Sequence, residues 1–94
     1  MFYRLKIINE LFLNRHLAIL LYMDERKKLG QRIRQSRLEA KLTQKELAAL
    51  LWLKEDAVSS MERGKQDVSL GQLGILARVL RVDRSWLAFG EEQK

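Results

Sequence analysis

Two regimes of hydrophobic patterning divide the chain. In residues 1–23 Leu5, Ile8, Phe12 and Ile19 fall on one helical face, with Arg4, Lys6, Glu10 and Arg15 interspersed, and residues 17–23 form an unbroken apolar run. From residue 24 onward the apolar positions recur at the period of amphipathic helices. Leu29, Ile33, Arg37 and Leu38 mark a mostly polar helix reaching about Ala40. Thr43-Gln44-Lys45-Glu46 is a capping box, in which the hydroxyl takes a free N–H at the helix start and the carboxylate reaches back. It opens a second helix whose predicted buried face is Leu47, Ala48, Leu50 and Leu51. A short break at Trp52-Leu53 precedes a third helix over 55–62, carrying Val58 and Met61 and stopped by Gly64, a residue suited to the left-handed turn after a helix. Ser69-Leu70-Gly71-Gln72 is a second capping box and starts a fourth helix with Leu73, Leu76, Ala77 and Leu80 inward. Asp83 or Arg84 begins a last helix with Trp86, Leu87 and Phe89, ended by Gly90. Five short helices with links of a few residues predict an all-α domain.

Length and composition sharpen this. At 94 residues the chain is one domain with an appendage. Met23 followed by Asp24-Glu25-Arg26-Lys27-Lys28 reads as the beginning of the compact part, so the predicted division is an apolar and basic segment 1–23, a domain 24–90 and a polar tail 91–94. The segment 1–23 is too interrupted for a membrane span, which takes about 20 apolar residues. It also lacks the small-residue cleavage site of a signal peptide. It reads as a helix docking on the domain, a second protomer or a protein partner, or as a stretch upstream of the true start; a membrane-surface helix comes last. There is no Cys and no Pro. That excludes disulfides, thiolate metal sites and cysteine nucleophiles, and it favours helices. The single His16 excludes a histidine metal cluster. No cofactor and no metal are expected, and the expected location is cytoplasmic.

The formal net charge is +6, from 18 Lys and Arg against 12 Asp and Glu. Arg26, Lys27, Lys28, Arg32, Arg34 and Arg37 form a run without an acid, and that run equals the whole surplus. Such a run is either a solvated helix face or a patch that displaces counterions from nucleic-acid phosphates.

Counted from Gln44, the apolar positions Leu47, Ala48, Leu51, Leu53, Val58 and Met61 have the register of a helix-turn-helix. Ala48 is small where two crossing helices need close approach. With LGQRIRQSRLEAKLTQKELAALL (29–51), VSSMERGK (58–65) and SLGQLGILARVL (69–80), the sequence resembles the lambda-repressor-like, Cro-type (XRE) family of DNA-binding domains over about 28–88. The resemblance implies a five-helix lambda-repressor-like DNA-binding domain with an additional N-terminal helical segment. It implies a phosphate contact for Gln44 and a partly buried ion pair between Arg37 and Glu62. It puts Lys54, Glu55, Asp56, Ser59 and Ser60 on the base-reading face of the recognition helix, and Lys65 and Gln66 in a loop beside the phosphate backbone.

Two positions depart from the family. The turn residue, commonly Gly because φ is positive there, is Trp52; a bulky residue in that conformation costs about 1–2 kcal/mol. Either the turn is reshaped or the ring packs over the domain or a partner, with local packing the preferred role. The recognition helix also opens with Lys54-Glu55-Asp56, where acids suit the helix dipole but repel phosphates; facing bases, they would accept from cytosine N4.

Enzyme chemistry is not expected. Asp24-Glu25 and Glu55-Asp56 are neighbours whose side chains diverge by about 100° on a helix. Ser59 and Ser60 have no nearby His, and the five glycines form no phosphate-cradling loop. The function expected from the sequence is a sequence-specific double-stranded-DNA-binding transcriptional regulator, a repressor acting as a homodimer. Its rivals are an antitoxin that also represses its own operon, with 1–23 as partner contact, and a protein-interaction module that has lost DNA binding.

Overall fold

Side-chain caps set where four of the five described helices begin. The computed structural model describes residues 14–90, which form α1 (Arg15–Glu39), α2 (Gln44–Leu50), α3 (Glu55–Glu62), α4 (Leu70–Leu80) and α5 (Arg84–Phe89), with no strand among them. Both capping boxes form: Thr43 Oγ1 accepts from Glu46 N at 3.0 Å while Glu46 accepts from Thr43 N, and Ser69 and Gln72 do the same. Asp83 caps α5 by accepting from Trp86 N, and Asn14 caps α1 by accepting from Leu17 N. Residues 15–23 are continuous with the first helix, which runs unbroken through Met23-Asp24. Residues 1–13 and the tail 91–94 lie outside the described residues.

Four helices end alike. Leu42 N bonds Arg37 O, Leu53 N bonds Ala48 O, Lys65 N bonds Ser60 O and Val82 N bonds Ala77 O, at 2.9–3.1 Å. Each bond closes over a left-handed residue: Lys41, Trp52, Gly64 and Arg81, with φ between 56° and 70°. This is the Schellman ending, which satisfies the orphan carbonyls of the last turn. The half-buried Leu42, Leu53 and Val82 that follow pack against the core. Trp52 therefore does not reshape the turn; it adopts the left-handed geometry a glycine would take.

The core is drawn from all five helices: Ile33 from α1, Leu47 and Ala48 from α2, Val58 and Met61 from α3, Leu73, Leu76, Ala77 and Leu80 from α4, and Leu87 from α5. α2 packs on α3, α1 crosses behind α3 and also touches α4 and α5, and α4 packs on α5. Two predicted core positions are on the surface instead. Leu38 is 100° around α1 from Arg37, which turns it off the inward stripe, and it is half exposed. Leu50, near the end of α2, faces a surface groove with Leu42 and Val79.

α1 approaches α3 tightly at Gly30. A Cβ built there would lie 2.5 Å from the carbonyl oxygens of both Met61 and Glu62. α1 thus abuts the C-terminal end of α3 backbone to backbone, which only a residue without a side chain permits.

Candidate nucleic-acid interface

The position of α3 is held by one buried carboxylate. Arg37 Nε donates to Glu62 Oε2 at 2.6 Å and Arg37 Nη2 donates to Oε1 at 3.1 Å, a bidentate pair with both side chains buried. Gln44 Nε2 donates to the same Oε1 at 3.1 Å, and Arg37 Nη1 donates to Leu42 O at 2.9 Å. Glu62 therefore ties α3 to the middle of α1 and to the first residue of α2, while Arg37 also braces the connection between α1 and α2. Charge-assisted bidentate bonds carry geometric specificity as well as energy. The Gln44 amide has a second N–H with no partner among the described residues.

With Val58, Met61 and Glu62 facing inward, helical geometry turns Asp56, Ser59, Ser60 and Arg63 outward on α3. Ser59 and Ser60 are half-buried, and Asp56 and Arg63 are exposed. Arg63 Nη2 reaches Ser60 Oγ at 3.4 Å. Arg63 was not among the residues predicted from sequence, though its spacing of three, four and seven from Ser60, Ser59 and Asp56 puts it on their face. Glu55 stands apart from that face: it is seven residues above Glu62 and lies on the side of the ion pair. Lys54 is the exposed N-cap residue of α3 and supplies no side-chain cap. Lys65 is exposed and Gln66 half-buried in the loop that follows Gly64. Among the described residues Lys54, Glu55, Asp56 and Lys65 make no ion pair, so their charges face solvent.

The basic run of α1 is mostly engaged inside the molecule, so it is not the free patch its composition suggested. Arg37 is buried on Glu62. Arg32 donates to Leu87 O at 2.7 Å and Ala88 O at 2.8 Å, capping the end of α5. Lys28 pairs with Asp24 at 3.0 Å, and Arg26 pairs with Asp67 at 3.2 Å, stacking over the Tyr22 ring. Tyr22 Oη also donates to Asp67. Those two donors, Tyr22 first, hold the Asp67 carboxyl below its ordinary pKa. Lys27 and Arg34 are the members of the run left without an ion pair among the described residues. Lys27 lies against Gly64, at the end of α3.

Trp52 is 95% exposed, so its ring does not pack over the domain as expected. A left-handed tryptophan with no intramolecular contact to offset its strain stands at the turn just before α3. Among the described residues no group of His, Cys, Asp and Glu could hold a metal ion, and no helix is long and apolar enough to cross a membrane.

The same arrangement occurs in known proteins. The model of a helix-turn-helix family matches residues 33–87. The HTH-type transcriptional regulator DicA of Escherichia coli is 38% identical over 66 residues, which cover 70% of this chain and 49% of DicA. The chain thus spans about half the length of that relative. Among solved structures, the restriction-modification controller protein C.AhdI from Aeromonas hydrophila superposes with a TM-score of 0.66 at 35% identity, over 70% of this chain and 96% of C.AhdI. The clp gene regulator ClgR from C. glutamicum superposes with a TM-score of 0.63 at 27% identity, over 67% of this chain and 82% of ClgR. With the family match running through the whole α2–α3 unit and the core that supports it, the chain belongs to the helix-turn-helix family, in its lambda-repressor-like (XRE) branch.

Proposed function

We propose that the chain is a sequence-specific double-stranded-DNA-binding transcriptional regulator, a repressor working as a homodimer in the cytoplasm, with α3 in the major groove. The observation that carries this reading is the outward face of α3. Asp56, Ser59, Ser60 and Arg63 are left for an outside partner, while Glu62 on the opposite side locks the helix to α1 and α2. Recognition helices of this class present their N-terminal part to base edges and take phosphates from the flanking elements. Gln44 with its second amide hydrogen, Lys54 and Lys65 occupy those flanking places. The regulators among its relatives point the same way.

Titration with duplex DNA over a salt series tests the reading. Neutralising three phosphates with Lys54, Arg63 and Lys65 alone gives a slope of log K against log salt of about −2.7. Binding that ignores salt, or no binding at low salt, refutes it. The exposed Glu55 and Asp56 favour a second reading, a protein-interaction module. Replacing both by Ala separates the two: a change in base preference means that Asp56, on the outward face, reads DNA, whereas no DNA binding before or after replacement favours the protein partner.

A further inference from the structure

The end of α3 gathers three cations from two distant parts of the chain. Gly64, buried and left-handed with φ +70°, follows the helix, and a Cβ built on it would lie 2.9 Å from the Lys27 Cα and 3.0 Å from the Lys27 Cγ. The stem of Lys27 on α1 therefore runs over Gly64, a seat that exists only because the glycine has no side chain. Arg63 and Lys65 flank Gly64, each about 3.8 Å from it between Cα atoms, so both stand within about 8 Å of the Lys27 Cα. All three side chains are exposed. The acids nearest along the chain are already taken: Asp24 and Glu25 by Lys28, Glu62 by Arg37, and Asp67 by Arg26 and Tyr22. Arg63 donates to the Ser60 hydroxyl, and none of the three has an ion pair among the described residues. The C-terminal dipole of α3, about half a negative charge, offsets only part of three positive ones.

We infer that Lys27 is a DNA-backbone contact, joining Arg63 and Lys65 on the phosphates of the strand that passes the end of α3. The inference rests on the DNA-binding reading above and adds to it a contact from α1, outside the helix-turn-helix. Arg63 shares the outward face of α3 with Ser59 and Ser60, so a duplex read by that face meets this cluster at its border. Three uncompensated cations so close together call for closely spaced anions, and duplex DNA carries one charge per about 1.7 Å of its axis. A lysine meets a phosphate as a point charge on a flexible stem. Such a contact fixes register on the duplex and carries no base information.

The full chain is compared with its Lys27→Gln, Lys65→Gln and Arg78→Gln variants by fluorescence anisotropy over a salt series. Two duplexes are used, one carrying a site selected in vitro with the parent and one with that site scrambled. Arg78 is an exposed cation of α4 without an ion pair among the described residues, so replacing it removes one charge elsewhere. Circular dichroism checks that each variant is folded, which is expected because all three positions are exposed. One phosphate contact contributes about 0.9 to the slope of log K against log salt. The expected result is a slope smaller in magnitude by about 0.9 in Lys27→Gln and in Lys65→Gln, on both duplexes. The ratio of parent to variant affinity then shrinks about eightfold for each tenfold rise in salt. Arg78→Gln should keep the parent slope, and Lys27→Gln should keep the parent's preference for the selected site. A parent slope in Lys27→Gln overturns the α1 contact and leaves the DNA-binding reading intact. An equal fall in Arg78→Gln also overturns it, because net charge alone then acts. A changed site preference in Lys27→Gln overturns the backbone role. A parent that binds no duplex at low salt overturns the DNA-binding reading and this inference with it.

Discussion

Gly30→Ala sets helix propensity against packing. In an isolated helix the change gains up to about 1 kcal/mol, because Gly loses more backbone freedom on folding than Ala. Here the new Cβ would sit 2.5 Å from two backbone oxygens and 2.8 Å from the Glu62 carbonyl carbon. Close C···O contacts in proteins run about 3.3 Å, so the backbones must part by about 0.8 Å. Neither carbonyl can rotate aside, since both belong to the last turn of α3. Moving α3 also strains the 2.6 Å bond between Arg37 and Glu62, and breaking such a buried pair costs about 3–5 kcal/mol. Overpacking by one methyl typically costs about 1–3 kcal/mol. The clash and partial loss of the pair outweigh the propensity gain, and the expected net loss is about 2–3 kcal/mol. At about 4–8 °C per kcal/mol for a domain of this size, Tm should fall by about 10–20 °C in thermal unfolding followed by circular dichroism. Gly71→Ala is the control: a Cβ there meets nothing within 4 Å, and its propensity gain should appear as a raised Tm. A Gly30→Ala protein as stable as the parent would refute the backbone contact between α1 and α3.

Trp52→Gly should stabilise the protein by about 0.5–1 kcal/mol, the left-handed strain relieved less the entropy of the new glycine. The ring is 95% exposed and contributes no burial, so a loss of stability in urea unfolding would mean that it packs somewhere. Glu62→Gln leaves the Arg37 guanidinium buried without its counter-charge and should cost about 3–5 kcal/mol; a loss below 1 kcal/mol in the same assay would show that the pair is dispensable. Asp67 ties the loop before α4 to Tyr22 and Arg26 with a carboxyl whose folded pKa is depressed. Its contribution is complete above the ordinary carboxylate value of about 3.9 and disappears as pH falls through the lower folded value. The stability difference between the parent and Asp67→Asn should thus be flat from neutral pH to about 5 and shrink in stronger acid; a difference that grows on acidification would reverse the assignment.

How much was legible in the sequence depended on the reach of each interaction. Thr43 with Glu46, and Ser69 with Gln72, act within one turn, so the chain spells out those helix starts directly. The same holds for Ala48, Val58 and Met61, whose register within a short helix-turn-helix was readable and whose burial follows it. Arg63 was readable too, from its spacing on α3. The basic run of α1 misled because its partners are remote: Arg32 meets carbonyls 55 and 56 residues away, and Arg26 meets Asp67 at a separation of 41. Composition counts such charges as free, and only the packed molecule shows that they are engaged.

What the sequence by itself determined is the second to fifth helices, the capping boxes that open α2 and α4, and the family register, all written in contacts no more than a few residues long. The single long α1, running through the expected boundary at Met23-Asp24, was not among them. Tertiary structure decided which charges face solvent, that Leu38 and Leu50 lie outside the core, that Trp52 stands alone in a left-handed turn, and that Gly30 is needed for α1 to meet α3. These outcomes depend on distances between segments far apart along the chain. Periodicity names a face of a helix, but only the neighbouring helix decides what that face meets.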